Sequence, residues 1–333
     1  MKILVTGGAG FIGFHAIAHL VREGHDVVAV DNYNDYYSVE LKNIRKKKLS
    51  ENYGVLVTST DLASHKETRQ LISNSQPDAI IHLAAQAGVR LPYRENERYI
   101  ESNLTGYANV LTEAVLHEVP QFLYASSSSV YGNNSKIPYS EKELKLKPVS
   151  FYGATKLANE TIAPTLVFGK NTKARGMRFF TVYGELGRPD MAYFRLFASA
   201  LENFHFEIFG NGAIERDFTY VGDVVHSIGL LLNELTGHSA GYSDVVNIGG
   251  GKPASLNQLV EEIQKVTGKT ISSFSSEANP NDVRVTNCDT DYLQKLTKYV
   301  PVTDLQEGLG RFFDWTKEAE TSNKLTLWAK SVV

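Results

Sequence analysis

Three glycines spaced three apart, placed directly after a short apolar run, constrain this chain more than any other feature. Ile3-Leu4-Val5-Thr6 reads as a strand, Gly7-Gly8-Ala9-Gly10-Phe11-Ile12-Gly13 follows, and Phe11 to Glu23 carries the apolar face of a helix. A strand that turns at once into a helix needs a residue tolerant of positive φ and a bare backbone where an anion approaches. It also needs a spot without a side chain where helix meets strand, and Gly7, Gly10 and Gly13 supply all three. The helix N-terminus then offers unpaired N–H groups and a positive dipole end to a diphosphate. Glycine-rich turns also occur in ordinary loops, so the context decides. Val27 to Asp31 reads as a second strand, and Asp31 closes it 18 residues after Gly13, where a carboxylate accepts hydrogen bonds from ribose hydroxyls. Asn32 follows, not arginine, so nothing welcomes a 2′-phosphate and the predicted cofactor is NAD rather than NADP. Asp61, after the third strand, reads either as an adenine contact or as a cap for the helix that follows.

The same alternation continues. Val55 to Thr58, Ala79 to Ala84 and Gln121 to Ser126 are further strand candidates, separated by helical segments at Ser64 to Ser75 and Tyr99 to Val119. Gly176 to Phe180 and Val245 to Ile248 add two more buried strands. This succession predicts an α/β chain with a Rossmann-type doubly wound parallel sheet. Beyond residue 181 the rhythm loosens, Ser272 to Asp282 reads as a polar loop, and a smaller mixed α/β substrate lobe is expected, packed on the first. The predicted division is a dinucleotide-binding domain over 1–180, with 220–250 returning to it, and a second lobe from 181–219 and 251–333.

Composition removes other classes. A formal charge of -3 over 333 residues argues against nucleic-acid binding by bulk positive charge. Arg45-Lys46-Lys47-Lys48 lacks interleaved aromatics and reads as a solvated helix face. His15 and His19 have the spacing of a metal pair but no third ligand nearby, so no metal is predicted. The single cysteine, Cys288, excludes an intrachain disulfide and suits a reducing compartment. With no recognisable leader and no apolar run of spanning length, the expectation is a soluble cytoplasmic protein without membrane or nucleic-acid partners, and the glycosylation patterns at Asn103, Asn133 and Asn159 carry little weight.

Tyr152-Gly153-Ala154-Thr155-Lys156 sets a tyrosine and a lysine four apart on one helix face. A phenol with a pKa near 10 is a poor base until a cation favours the phenolate. Beside a dinucleotide site the pair becomes a signal for proton exchange with an alcohol during hydride transfer. Ser126-Ser127-Ser128-Ser129 ends the Gln121 strand, where a parallel sheet presents its ligands and hydroxyls can donate to a reacting oxygen.

Together the glycine loop, Asp31, His82-Leu83-Ala84-Ala85, the serine run and Tyr152-x-x-x-Lys156 resemble the extended short-chain dehydrogenase/reductase family over nearly the whole chain. Within it the sequence is most similar to nucleotide-sugar 4-epimerases. Asp31-Asn32-Tyr33-Asn34-Asp35-Tyr36-Tyr37, Ala85-Gln86-Ala87-Gly88-Val89-Arg90, Phe179-Phe180-Thr181-Val182-Tyr183-Gly184 with Arg188-Pro189-Asp190-Met191, and Arg216-Asp217-Phe218-Thr219-Tyr220 look like UDP-glucuronate 4-epimerases. The resemblance implies NAD contacts from Gly7, Gly10, Phe11, Ile12, Gly13, Asp31, Asn32, Asp61, Leu62, Leu83, Ala84, Ala85, Asn103, Tyr152 and Lys156. It implies catalysis by Tyr152, Lys156 and Ser127, with Lys156 lowering the tyrosine pKa. Relatives that eliminate water carry Asp-Glu after the strand-end hydroxyl and decarboxylating relatives a glutamate; here those positions are Ser128 and Ser129, so both activities lack their acid–base groups.

A 4-keto uronate is a β-keto acid, and hydroxyl donors can hold its carboxylate out of the orientation that loses carbon dioxide. Ser128, Ser129 and Thr181 suit that role in type, with Arg90 or Arg188 as charged neighbours, although Ser129 and Thr181 could equally be scaffold hydroxyls. Arg216 aligns with the family's phosphate-binding arginine, Phe209 with a uracil contact and Asp282 with a ribose contact. The Arg-x-Gly-Asp expected near residue 279 is Asn279-Pro280-Asn281-Asp282 here, which removes a second phosphate arginine. The expected activity is interconversion of UDP-glucuronate and UDP-galacturonate. UDP-glucose/UDP-galactose epimerisation, an oxidoreductase that releases NADH and a non-catalytic NAD-binding sensor remain as alternatives. A homodimer through the Tyr99–Val119 and Phe151–Phe168 helices is also implied, with Pro164 expected to interrupt the second.

Overall fold

The structure, a computed structural model, describes residues 1–89, 91–133, 136–202, 204–276 and 283–332. In chain order its elements are β1 (Lys2–Thr6), α1 (Phe11–Arg22), β2 (Asp26–Asp31), α2 (Val39–Tyr53), β3 (Val57–Ser59), α3 (His65–Ser75), β4 (Ala79–His82), α4 (Asn96–Tyr99), α5 (Tyr107–Leu116), β5 (Gln121–Ser127), α6 (Phe151–Val167), β6 (Lys173–Phe179) and β7 (Thr181–Tyr183). They continue with α7 (Ala192–Glu202), β8 (Phe206–Phe209), β9 (Glu215–Tyr220), α8 (Val221–Leu235), β10 (Ser243–Ile248), β11 (Pro253–Ser255), α9 (Leu256–Thr267), β12 (Ser273–Ser276), α10 (Asp291–Thr297), α11 (Leu305–Thr316) and α12 (Leu325–Lys330).

Seven strands form one parallel sheet in the order β10-β6-β5-β4-β1-β2-β3, the doubly wound arrangement that the alternating sequence predicts. The strands are apolar through their length because helices cover both faces: β4 is buried at every residue and β1 at all but Lys2. The chain order reverses between β1 and β4, so a crevice opens beyond their carboxyl ends. Gly7 fills that switch point with φ +72, and a Cβ there would lie 2.7 Å from the Ala84 nitrogen, so only glycine lets the two strand ends close.

Outside this sheet the chain forms a three-stranded sheet, β11-β9-β7, and a parallel pair, β12-β8. One continuous core joins these strands to the large sheet. It runs from Ile3 and Val5 through Tyr183 and Tyr193 to Phe194, Phe312, Trp315 and Trp328.

Three local expectations change. Ser272–Asp282 is not wholly loop, because Ser273–Ser276 pairs in register with Phe206–Phe209. Pro164 does not interrupt α6, which continues to Val167. Arg45 is not on a solvated face: it is fully buried, while Lys47 and Lys48 pair with Glu320 and Glu318 at 2.7 and 2.8 Å. His15 and His19 do not converge on a common site. His15 Nε2 meets the Glu185 carbonyl at 2.8 Å, whereas His19 packs edge-on against His226.

Candidate active site

A cleft of about 830 Å³ opens at the switch point, in the upper part of the usual size range for small-molecule sites. One end is the β1–α1 turn. Gly10 N–H closes on the Gly7 carbonyl at 2.9 Å, no side chain caps α1, and its first turn holds no acidic residue. The helix N-terminus is thus left for an anion from outside the chain. Asp31 ends β2 beside it. Its carboxylate accepts from Ala9 N–H at 3.1 Å and Tyr33 N–H at 2.8 Å, which fixes its position on the cleft wall. Phe11, Ile12, Gly13, Asn32, Asp61, Leu62, Leu83, Ala84 and Ala85 line the same end. Glycine cradle, uncapped helix and strand-end carboxylate match what a dinucleotide's diphosphate and ribose require, so the residues present fit the NAD expected there.

Asp61 is not the helix cap: Ser64 accepts from Glu67 N–H, and Asp61 instead accepts from Ala63 N–H at 3.0 Å while facing the cleft. Asn103 does not line the cleft. Its amide is committed to both backbone groups of Gln86, at 2.8 and 3.2 Å, and to Thr155 Oγ1 at 3.1 Å, so it braces the cleft wall from behind.

The middle of the cleft is built by β5 and α6. Ser127, the last residue of β5, accepts from Ser129 N–H at 3.1 Å and starts a tight turn that turns Ser128 and Ser129 into the cleft. Ser150 caps α6 by accepting from Gly153 N–H at 3.0 Å, placing Tyr152 in the first helical turn. Gly153 lies so close to the serine turn that a Cβ would come within 2.7 Å of the Ser129 carbonyl oxygen. This contact brings the Tyr152 turn of α6 beside Ser127, whose side chain favours the phenolate. Beneath them, Ser126 donates to Glu160 at 2.5 Å, and Arg178 grips the same carboxylate with two 2.8 Å bonds.

Burial pushes the Tyr152 hydroxyl above the ordinary tyrosine range; the Arg188 guanidinium and the Ser127 hydrogen bond pull it back. Arg188 is thus a cation that bears on the phenol from outside α6. The Lys156 ammonium donates to the Ala125 carbonyl at 2.9 Å and lies 5.7 Å from the tyrosine ring centre, and burial lowers its pKa to about 8.

The far end of the cleft is lined by Thr181, Arg188 and Arg216, with Phe218, Val283 and Thr286. Arg188 donates from Nε to Asp190 at 3.0 Å and pairs with the same carboxylate through Nη2, while the Tyr36 hydroxyl donates to Asp190 at 3.1 Å. Two of the motifs singled out in the sequence, 31–37 and 188–191, thus meet on one wall. Arg90, the Phe209 side chain and Asp282 lie outside the described residues.

Lys42 is a cleft residue the sequence reading missed. It is buried, donates to the Asn34 carbonyl and side chain at 2.7 and 2.9 Å, and is lowered to about 8 chiefly by burial. Its only sequence signal was its distance from Asp31 on the next helix, which is indistinguishable from that of its exposed neighbours.

The sequence pattern of the NAD dependent epimerase/dehydratase family matches residues 3–249. The chain is 37% identical over 332 residues to protein CapI of Staphylococcus aureus, covering 96% of this chain and 99% of that one. It is 39% identical over 329 residues to UDP-glucuronate 4-epimerase 3 of Arabidopsis thaliana, covering 94% and 76%. Among solved structures, UDP-glucuronic acid 4-epimerase from Bacillus cereus in complex with UDP-glucuronic acid and NAD is similar with a TM-score of 0.87 and 31% identity, covering 95% of this chain and 99% of that one.

Proposed function

The chain belongs to the NAD dependent epimerase/dehydratase family, and we propose that it interconverts UDP-glucuronate and UDP-galacturonate by transient oxidation at carbon 4 of the sugar. One observation carries the reading. Tyr152 and Ser127 line one cleft together with the glycine loop and with Ser128, Ser129, Thr181 and the Arg188 cation.

NAD, when bound, takes hydride from carbon 4 and later returns it, so none is consumed. Gly7, Gly10, Gly13, Asp31 and Leu83 to Ala85 hold it in this reading, with Lys156 at its nicotinamide ribose. Tyr152 removes the proton from the 4-hydroxyl, and Ser127 hydrogen-bonds the same oxygen. A phenol raised by burial is a base only while cations oppose that rise, so Lys156, 5.7 Å from the ring, and Arg188 both favour the phenolate through their fields. Tyr152 returns the proton after the sugar has turned its other face.

Neither Ser128 nor Ser129 can serve as the acid or base that elimination needs. Together with Thr181 they supply neutral donors for the uronate carboxylate, and Arg188 supplies a charged one. Arg216 takes the diphosphate, with Phe209 and Asp282 at the uridine. The dinucleotide half is 1–180 with 220–250, and the sugar-nucleotide half is 181–219 and 251–333. No helix among the described residues is long and apolar enough to cross a membrane, and with a lone buried cysteine we place the protein in the cytoplasm. We place a dimer contact on α5 and α6, whose ends expose Leu116 and Phe168; sedimentation as a monomer would remove it.

The test is incubation of the purified protein, without added NADH, with UDP-glucuronate and separately with UDP-glucose, with products resolved by proton NMR. UDP-galacturonate formed from the uronate alone is expected. Turnover of UDP-glucose alone would overturn the carboxylate assignment, and steady accumulation of NADH would replace epimerisation by net oxidation.

A further inference from the structure

The segment Gly184–Asp190, which carries Arg188, leaves β7 for the second lobe, yet three of its anchors come from the dinucleotide half. His15 on α1 meets the Glu185 carbonyl, and Tyr36 after β2 meets Asp190. The third anchor, Arg45 on α2, does most. Its Nε donates to the Leu186 carbonyl at 2.9 Å, and its Nη2 donates to Leu186 at 2.7 Å and Gly187 at 3.0 Å. Its Nη1 reaches the other way, to the carbonyl of Ala9 in the glycine loop at 3.0 Å and to the Tyr37 hydroxyl at 2.7 Å.

These bonds use all five guanidinium donors, and the group is 0% exposed. Among the described residues no carboxylate pairs with it. A buried cation without a counter-ion is costly to keep, so neutral packing alone is a poor account of an arginine here. The fork also fixes Leu186 at φ +54, a conformation that a leucine holds only where its surroundings impose it. Lysine cannot substitute, because one ammonium cannot span carbonyls on two separate loops.

We propose that Arg45 is a positioning residue that holds the Arg188-bearing segment in register with the glycine loop, aligning the sugar end of the cleft on its dinucleotide end. This rests on the reading of Arg188 as a contact for the sugar carboxylate. The test uses NAD-loaded wild type and R45K, with folding checked by thermal melting. It measures binding of UDP-glucuronate and of UDP by calorimetry, kcat and KM for epimerisation, and NAD release by fluorescence.

In R45K the Kd for UDP-glucuronate and its KM should rise about tenfold, the size of one lost hydrogen bond, and NAD release should quicken severalfold. UDP, which has no sugar to reach Arg188, should bind unchanged. Equal weakening of both nucleotides would mean general loosening and would overturn the proposal, as would unchanged binding with unchanged NAD release. If R45K does not fold, Y37F, which removes one acceptor from the same fork, should show the same pattern at smaller amplitude; no change there overturns the proposal. Should wild type fail to distinguish UDP-glucuronate from UDP, the functional reading fails, and NAD release then decides alone: quickened release in R45K upholds Arg45's hold on the glycine loop, and unchanged release overturns it.

Discussion

Replacing Gly153 with alanine tests whether the catalytic geometry is set by the contact between α6 and the serine turn. The new Cβ would stand 2.7 Å from the Ser129 oxygen, 3.0 Å from Pro148 Cβ and 3.2 Å from the Ser129 carbonyl carbon. Two of these neighbours are backbone and none is a flexible side-chain tip, so helix and turn must part by roughly 0.5 Å to restore ordinary contact. Two energies oppose each other. Alanine in place of glycine favours a helix by about 1 kcal/mol, and overpacking of a tight contact costs about 1–3 kcal/mol. The net is a loss of about 0–2 kcal/mol, a fall in Tm of a few degrees for a chain this long. The chemistry has no such compensation. Tyr152 precedes the substitution and Ser127 begins the turn it pushes away, so the pair opens along the contact normal. A 1 Å misplacement can cost about a hundredfold in rate, so half of that should lower kcat about tenfold. NMR-monitored epimerisation of UDP-glucuronate beside a melting curve would show it. A kcat within about twofold of wild type, with Tm unchanged or raised, would refute the claim that this contact places the tyrosine.

Tyr152→Phe should reduce turnover at least about a thousandfold while NAD stays bound, measured by NMR and cofactor absorbance; retained turnover would remove Tyr152 from the chemistry. Asp190→Asn takes the counter-charge from Arg188 and leaves its field fully on Tyr152. The phenol then ionises more easily, so the acid limb of the kcat/KM profile should move to lower pH, and Arg188→Met should move it to higher pH. Either limb moving the opposite way would contradict the assignment of Arg188 as a cation acting on Tyr152. Burial lowers His15 to about 4 and His82 to about 3, so both are held neutral in the fold and gain a proton on unfolding below their usual 6.5. That stability is present above pH 6.5 and is lost as pH falls, by about 2 kcal/mol for each by pH 5. Urea midpoints at pH 7 and pH 5 should differ accordingly, and equal midpoints would mean that the imidazoles are not held neutral.

What the sequence disclosed follows from which interactions are local. β1, the glycine loop, α1 and Asp31 are adjacent in the chain, and each obeys a backbone rule readable from residue type, so the dinucleotide end of the cleft is legible almost residue by residue. Ser127 to Ser129 and Tyr152 are equally legible, because a strand end and a helix cap each announce themselves locally. Asn103 and Arg45 were misread for one common reason. Each is a polar side chain whose role is fixed by backbone carbonyls or amides far away in sequence, at Gln86 for one and at Ala9 and Leu186 for the other. The resemblance takes the one as a ligand contact and the charge run makes the other a solvated charge, since nothing in either neighbourhood records the distant partner.

The same non-locality hid Arg188 as a second cation acting on Tyr152 beside Lys156. Spacing along α6 puts Lys156 on the tyrosine's face, but spacing cannot show that its ammonium is taken up by the Ala125 carbonyl. Arg188 acts on Tyr152 from a segment anchored by α1 and α2, so part of the charge that favours the phenolate is positioned by helices beside the glycine loop. The anchoring of that segment therefore bears, with the tyrosine–lysine spacing, on whether the proton can leave the 4-hydroxyl as hydride leaves carbon 4.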